Sequence, residues 1–236
     1  LYIDNIKKKD ESIEGYLGKI VHEVLEWIYN NKFEYCVWDK IENKYEELWD
    51  KNWHCDIYIS IIKRQYNKNH FKKIGLECLR NYYKNQGGPY LKYDHITSTE
   101  VVVETRIGEY KFKGIIDRLD ENEDSINIHD YKTGRRSKTS SQAQNDFQLA
   151  LYQLGVQQNF KDVKDITLIW HSLRHNTNIT VSHTDRQLYR IEKKIVNILK
   201  TIEDAIRNLK NLNREVKMKS CVVPNNIPTY SWNHHT

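Results

Sequence analysis

Residues 12–30 carry apolar side chains at Ile13, Leu17, Ile20, Val21, Val24, Leu25 and Ile28. This recurrence at three- and four-residue steps predicts an amphipathic helix. The pattern stays mostly helical from Asn31 to about Asn85, in aromatic-rich pieces such as WDKIENKYEELW and KKIGLECLRNYY. Asn85-Gln86-Gly87-Gly88-Pro89 then interrupts it, because glycine and proline punctuate regular structure. Beyond that break the period falls to two. TEVVVETRI, EYKFKGIIDRL and SINIHDYK read as strands, joined by short polar turns at Gly108 and at 121–124. A helix is predicted over about 141–159, with strands near 165–171 and 178–182 after it. A long helix over about 186–212 places Leu188, Ile191, Ile195, Ile198, Leu199, Ile202, Ile206 and Leu209 on one face. No internal repeat or Pro/Ser-rich linker divides these parts, so one α/β domain over 1–236 with a helical portion to about residue 90 is the economical organisation.

Composition narrows the class. The 236 residues include 16 Tyr, 6 Trp and 5 Phe, too much buriable surface for a disordered chain. Lys and Arg number 37 against 32 Asp and Glu, a formal net charge of +5. That weak excess permits a nucleic-acid partner without indicating one, because the position of the charge decides. No apolar run approaches the ~20 residues of a membrane span, and LYIDNIKKKDE lacks the apolar segment of a secretory leader. The chain begins at Leu1 rather than Met, which leaves room for sequence upstream. Cys36, Cys55, Cys78 and Cys221 are widely spaced and include no CxxC pair. They read as small apolar side chains rather than a disulfide or zinc framework, and a reducing, intracellular, cytoplasmic setting is expected.

The chemistry concentrates on one hairpin. Ile126, Ile128, Asp130 and Lys132 share a strand face, because side chains alternate with period two. Folding the hairpin about residues 122–123 brings Asp117 of GIIDRL within a residue or two of Asp130. Two adjacent carboxylates repel unless a proton or cation separates them. Lysine helps, and a divalent ion with a taste for oxygen ligands helps more. For Asp and Lys taken alone, a surface cross-strand salt bridge is the simpler reading. Gly18, His22 and Glu26 form a stripe beside the apolar face of the first helix, and Gln148, Tyr152 and Gly155 form another on the helix after the hairpin. Gly18 inside a helix signals a close approach by another group.

Four elements then stand in a recognisable order: GxxxHxxLE at Gly18–Glu26, GxxDR at Gly114–Arg118, DYKTG at Asp130–Gly134 and QLALYQLG at Gln148–Gly155. Together they resemble the RecB-like branch of the PD-(D/E)XK nuclease superfamily, which includes AddB-type and CRISPR-adaptation exonucleases. The resemblance implies a restriction-endonuclease-like core over about 95–212, a central mixed β-sheet flanked by helices, with 213–236 as a tail. It implies that His22, Asp117, Asp130 and the Tyr131 carbonyl bind one or two Mg²⁺ or Mn²⁺ ions. Lys132 would orient and help deprotonate the attacking water and stabilise charge on the scissile phosphate, and Gln148 and Tyr152 would hold the substrate backbone. Arg135, Arg136 and Lys138 follow directly and are candidate phosphate contacts. Glu104, on the strand before the hairpin, is a candidate supporting carboxylate, and Glu26 a structural tether.

One departure matters. Many RecB-like nucleases hold an iron–sulfur cluster on four cysteines, whereas here Tyr230-Ser231-Trp232-Asn233 stands where the family has Cys-Ser-Trp-Cys. No cluster is expected, since such sites need four thiolates. Nor does adjacency make a metal site of His234 and His235. The resulting expectation is a Mg²⁺- or Mn²⁺-dependent DNA exonuclease working on single-stranded or end-containing duplex DNA in repair, recombination or phage-like processing. No GxxxxGK[ST] loop is present, so a helicase or recombination protein would be a partner. The alternatives are a non-catalytic nucleic-acid-binding module of a helicase–nuclease assembly and an endonuclease of the same fold.

Overall fold

The computed structural model describes residues 10–31, 35–63, 65–86, 90–91 and 96–220. Lys7–Lys9, Gly87–Pro89 of the predicted break, Cys221 and the stretch with Tyr230–Asn233, His234 and His235 lie outside the described residues.

The first helix, α1 (Ile13–Asn30), starts where Ser12 accepts a hydrogen bond from the Gly15 N–H. That side-chain acceptor satisfies one of the unpaired donors of the first turn. Four two-residue strands are interspersed with the helical portion: β1 (Glu11–Ser12), β2 (Tyr35–Cys36), β3 (Ile57–Tyr58) and β4 (Tyr90–Leu91), with β1 pairing β3 and β2 pairing β4. Helices α2 (Trp38–Lys51) and α3 (Lys68–Asn85) lie between them in the chain. Ile13, Tyr16, Leu17, Ile20 and Val21 of α1 bury against Tyr45 and Trp49 of α2 and Phe71, Cys78 and Tyr82 of α3. Each large apolar side chain so buried contributes about 1.5–3 kcal/mol.

Beyond residue 95 the chain builds a five-stranded sheet in the order β5 (Ile96–Ile107), β6 (Tyr110–Glu121), β7 (Ser125–Lys132), β8 (Asp165–Ser172) and β9 (Thr177–Val181). Only β7 and β8 run parallel, so the sheet is mixed. A parallel neighbour requires a crossover, supplied here by α4 (Ser140–Gln144) and α5 (Phe147–Asn159). Where the sequence predicts one helix over 141–159, the structure has two. Asp146 interrupts it by accepting from the Gln148 and Leu149 N–H groups, so that α5 starts afresh with its own cap.

A second core forms between the sheet and α5, from Ile116, Leu119, Ile126, Ile128, Leu149, Tyr152, Val156 and Leu168 among others. α5 approaches β5 closely at Gly155. A Cβ there would stand 2.7 Å from Thr105 Oγ1 and 3.1 Å from Val103. The final helix, α6 (Asp185–Ser220), continues eight residues past the predicted end near Leu212, so its last turns occupy part of the expected tail. Residues 1–191 form one compact unit and 192–236 a second, whose described part is the remainder of α6. No helix among the described residues is long and apolar enough to cross a membrane.

Candidate active site

The β6–β7 ladder runs from Glu121↔Ile126 to Arg118↔His129 and stops there. The next step in that register sets Asp117 opposite Asp130. At this point the Tyr131 N–H donates to the Asp117 carboxylate (Oδ2, 2.7 Å). A side chain therefore replaces a ladder bond, and the two carboxylates meet where the strands part. Helix α1 reaches this end of the sheet. Gly18 makes the close approach, since a Cβ there would lie 3.2 Å from Thr133 Oγ1. One turn further on, His22 Nδ1 stands 3.3 Å from Asp117 Oδ1 and Nε2 stands 2.9 Å from the Tyr131 carbonyl oxygen.

Both ring nitrogens of His22 thus face oxygen acceptors, an arrangement that suits the doubly protonated imidazolium. Burial pulls the His22 pKa down, but the Asp117 carboxylate outweighs it, and the net shift is upward. Asp130 is 1% exposed. Burial pushes its carboxyl up to about 6, helped by the neighbouring Asp117 charge and opposed by Lys132. Lys132 Nζ donates to Asp130 Oδ1 at 2.9 Å. It also lies 2.7 Å from Oδ2, yet without hydrogen-bond geometry, so that buried oxygen is left without a hydrogen bond. The same ammonium stands 5.0 Å above the Trp170 ring.

Among the described residues, no group of three or more His, Cys, Asp or Glu stands ready-made to hold a metal ion. The donors nonetheless fit one chemically. Asp130 offers an unsatisfied buried oxygen, Asp117 faces it across the strands, and His22 Nε2 and the Tyr131 carbonyl lie side by side. Their 2.9 Å separation is close to the roughly 3 Å between adjacent ligands of an octahedral ion bonded at about 2.1 Å.

A pH test follows from these shifts. Each raised pKa means that the folded state favours the protonated group, so the metal-free protein loses stability as pH rises through those values. Asp130→Asn removes its share of that loss. It is expected to stabilise the metal-free protein by roughly 2–3 kcal/mol at pH 7.5 and by little at pH 4. Urea unfolding at both pH values measures this, and equal effects at the two would refute the buried, strained carboxylate.

Tyr152 is buried, donating to the Ile115 carbonyl at 2.6 Å and accepting from Gln148 Nε2 at 2.8 Å. The pair thus braces β6 two residues before Asp117. Arg135 and Arg136 are exposed. Lys138 is ion-paired with Asp146 and lies 3.9 Å over Trp170, so its charge is already engaged. Glu26 accepts from Asn30 Nδ2, and Asn30 Oδ1 accepts in turn from Thr99 Oγ1 of β5, which ties α1 to the sheet.

Glu104 does not take the supporting position expected of it. It is exposed and opposite Lys113 in the register. Glu100 takes that place: Thr99↔Arg118 and Val101↔Ile116 bracket it against Asp117. Its φ of 51° lies in the left-handed region that non-glycine residues seldom adopt. Glu100 is exposed, as Glu104 is, yet its partial desolvation and the charges of Asp117 and Glu26 raise its pKa. The signal was present in the sequence, since counting back from a turn at Gly108–Glu109 leads to Glu100 and not Glu104.

Sheet, helices and hairpin together define an α/β protein whose paired carboxylates and lysine gather at one end of adjacent strands. The chain matches the family model of the PD-(D/E)XK nuclease superfamily over residues 1–221, and it belongs to that superfamily. Its nucleases generally use divalent metal ions, and membership implies a nucleic-acid substrate. No curated protein matches the chain. Among solved structures, the "Crystal structure of SSO0001" is similar at 14% identity over 82% of this chain and 78% of that one, with a TM-score of 0.31.

Proposed function

We propose that this chain is a Mg²⁺- or Mn²⁺-dependent deoxyribonuclease of the RecB-like branch, acting as an exonuclease on DNA ends in repair, recombination or phage-like processing. The observation that carries the reading is the meeting of Asp117 and Asp130 at the end of the β6–β7 ladder, with His22 bridging Asp117 to the Tyr131 carbonyl. His22, Asp117, Asp130 and that carbonyl would hold the ion. When bound, it would neutralise the anionic phosphodiester and lower the pKa of water.

The protein's own groups supply the rest. Loading requires His22 to release a proton, because an imidazolium has no lone pair to offer. Asp130 must likewise be ionised, and Lys132 holds it so against the cost of burial. Lys132 Nζ can then turn to the attacking water, orient it and offset charge on the scissile phosphate. Tyr152 and Gln148 fix the β6 backbone beside Asp117, and the exposed Gln148 can contact the strand.

The test is incubation with end-labelled linear single- and double-stranded DNA and with closed circular DNA, in Mg²⁺, Mn²⁺ or EDTA. Loss of linear DNA with either metal, while circles survive, is the expected result. Cutting of circles would make the protein an endonuclease of the same chemistry. Binding without cleavage in any metal would move it to the non-catalytic binding modules.

A further inference from the structure

We infer that a cavity beside the DYKTG turn anchors one nucleotide of a single-stranded substrate, its phosphate between Arg135 and Arg174 and its base against Tyr66; this rests on the nuclease reading above. The cavity measures about 280 Å³. Thr133–Arg135 line it, together with Glu14 and Leu17 of α1. Leu17 precedes His22 by five residues, about 8 Å of helix rise. Arg135 follows Lys132 by three residues, at most about 11 Å of chain. A strand stacked at ~3.4 Å per nucleotide therefore passes from the carboxylate pair to the cavity in two or three steps.

The charges in the cavity are unbalanced. Lys63 is ion-paired with Glu14 and so is neutralised. Among the described residues, neither the Arg135 nor the Arg174 guanidinium has a hydrogen-bond or ion-pair partner. The two segments are nevertheless held together, because His175 Nε2 lies 2.8 Å from the Arg135 carbonyl oxygen. Two unpaired guanidiniums lining one cavity favour an anion there. Their planar forks match a phosphate's oxygens. A structural arginine would have found a carboxylate here, and Glu14 is taken.

The aromatic part of the lining suits a base. Tyr66 and His70 stack with ring centroids 4.1 Å apart and planes at 11°, and both line the cavity. Tyr66 is 39% exposed, leaving apolar ring surface open. A flat aromatic face accepts any base and requires it to be unpaired, so the subsite selects for single-stranded character and not for sequence.

The experiment measures anisotropy of a labelled twelve-nucleotide oligothymidylate in EDTA across a salt series, for the wild type, Arg174→Ala, Arg135→Ala and Tyr66→Ala, with cleavage in Mn²⁺ followed in parallel. Each arginine variant is expected to bind about tenfold more weakly, with the slope of log K against log salt reduced by about 0.7. Tyr66→Ala is expected to weaken binding at least about fivefold, an effect lost when the base at that position is replaced by an abasic site. Oligonucleotides with and without a terminal phosphate separate the two sources of the anion. A loss confined to the phosphorylated ligand identifies a terminal monoester, and an equal loss identifies an internal diester; either supports the subsite. A wild type that binds and cleaves while the variants keep its affinity and salt slope overturns the subsite alone. A wild type that neither binds nor cleaves overturns the nuclease reading and the subsite with it. Arg135 is exposed, so its variant remains informative even if Arg174→Ala fails to fold.

Discussion

Lys132→Ala is expected to lower metal-dependent DNA cleavage by about a thousandfold or more, with DNA affinity in EDTA changed by less than about threefold. The ammonium is fixed from two sides, by both oxygens of Asp130 at 2.7 and 2.9 Å and by the Trp170 ring 5.0 Å away. A preorganised charge aimed at a developing anion lowers the barrier by about 2.7–4 kcal/mol, or 10²–10³ in rate. Losing the group that orients the water removes a further factor of about 10²–10⁴. Binding survives because phosphate contacts elsewhere dominate affinity. Lys132→Arg divides the two contributions: it keeps a positive charge but cannot give up a proton. Partial activity in Arg with none in Ala would assign the main role to charge. Wild-type turnover by the Ala variant, in single-turnover assays with saturating Mn²⁺, would remove Lys132 from the chemistry.

The second large effect is on stability. Arg118→Met is expected to destabilise the protein by about 3–5 kcal/mol, the cost of breaking a buried ion pair by removing one partner. Arg118 and Asp120 are 4% and 5% exposed. Asp120 Oδ2 lies 3.0 Å from both Arg118 Nη2 and His129 Nε2, and Thr97 Oγ1 donates to its other oxygen at 3.0 Å. Burial works against the Asp120 charge, yet the His129 hydrogen bond and the charges of Arg118 and His129 bring its pKa down to about 2. The sign follows: this contribution to stability is present above the ordinary carboxylate range and disappears as pH falls through about 2.

Arg118 also donates to the Tyr82 hydroxyl at 2.6 Å, and Tyr82 and Tyr131 hydroxyls are 3.1 Å apart. The cluster thereby supports the strand whose carbonyl faces His22. Urea unfolding measures the loss, and Arg118→Met/Asp120→Leu should recover part of it, because no lone charge then remains buried. A change below about 1 kcal/mol in the single variant would show that water reaches Asp120.

Local physics made much of this molecule legible in advance. α1 follows from the spacing of Ile13, Leu17, Ile20, Val24 and Ile28 and from a serine able to cap it. The hairpin follows from alternation interrupted by polar turns, and because a one-residue slip would turn Ile126 and Ile128 out of the core, Asp117 is placed within a residue or two of Asp130; the ladder itself sets the two opposite, with the turn one residue later than 122–123. Motif order named the family to which the chain belongs. Where one local signal competes with another the sequence reads less well. The helix period runs on through 141–159, but Asp146 satisfies backbone donors better as a cap than as a helix interior residue.

What the sequence by itself determined are the long helices and the five strands of the main sheet, apart from the break at Asp146, together with their order, the approximate pairing of the hairpin and the residues its motifs single out. Only the tertiary structure decided that Asp130 is buried with an unsatisfied oxygen, and that His22 spans Asp117 and the Tyr131 carbonyl. It alone showed that Lys138 is held by Asp146 and that Arg135 shares a cavity with Arg174. Periodicity and capping act over a few neighbouring residues and are written along the chain. Burial, desolvation and the pairing of charges depend on which segments pack against one another, and in this protein these partners range from 8 residues apart, for Lys138 and Asp146, to 109, for His22 and Tyr131.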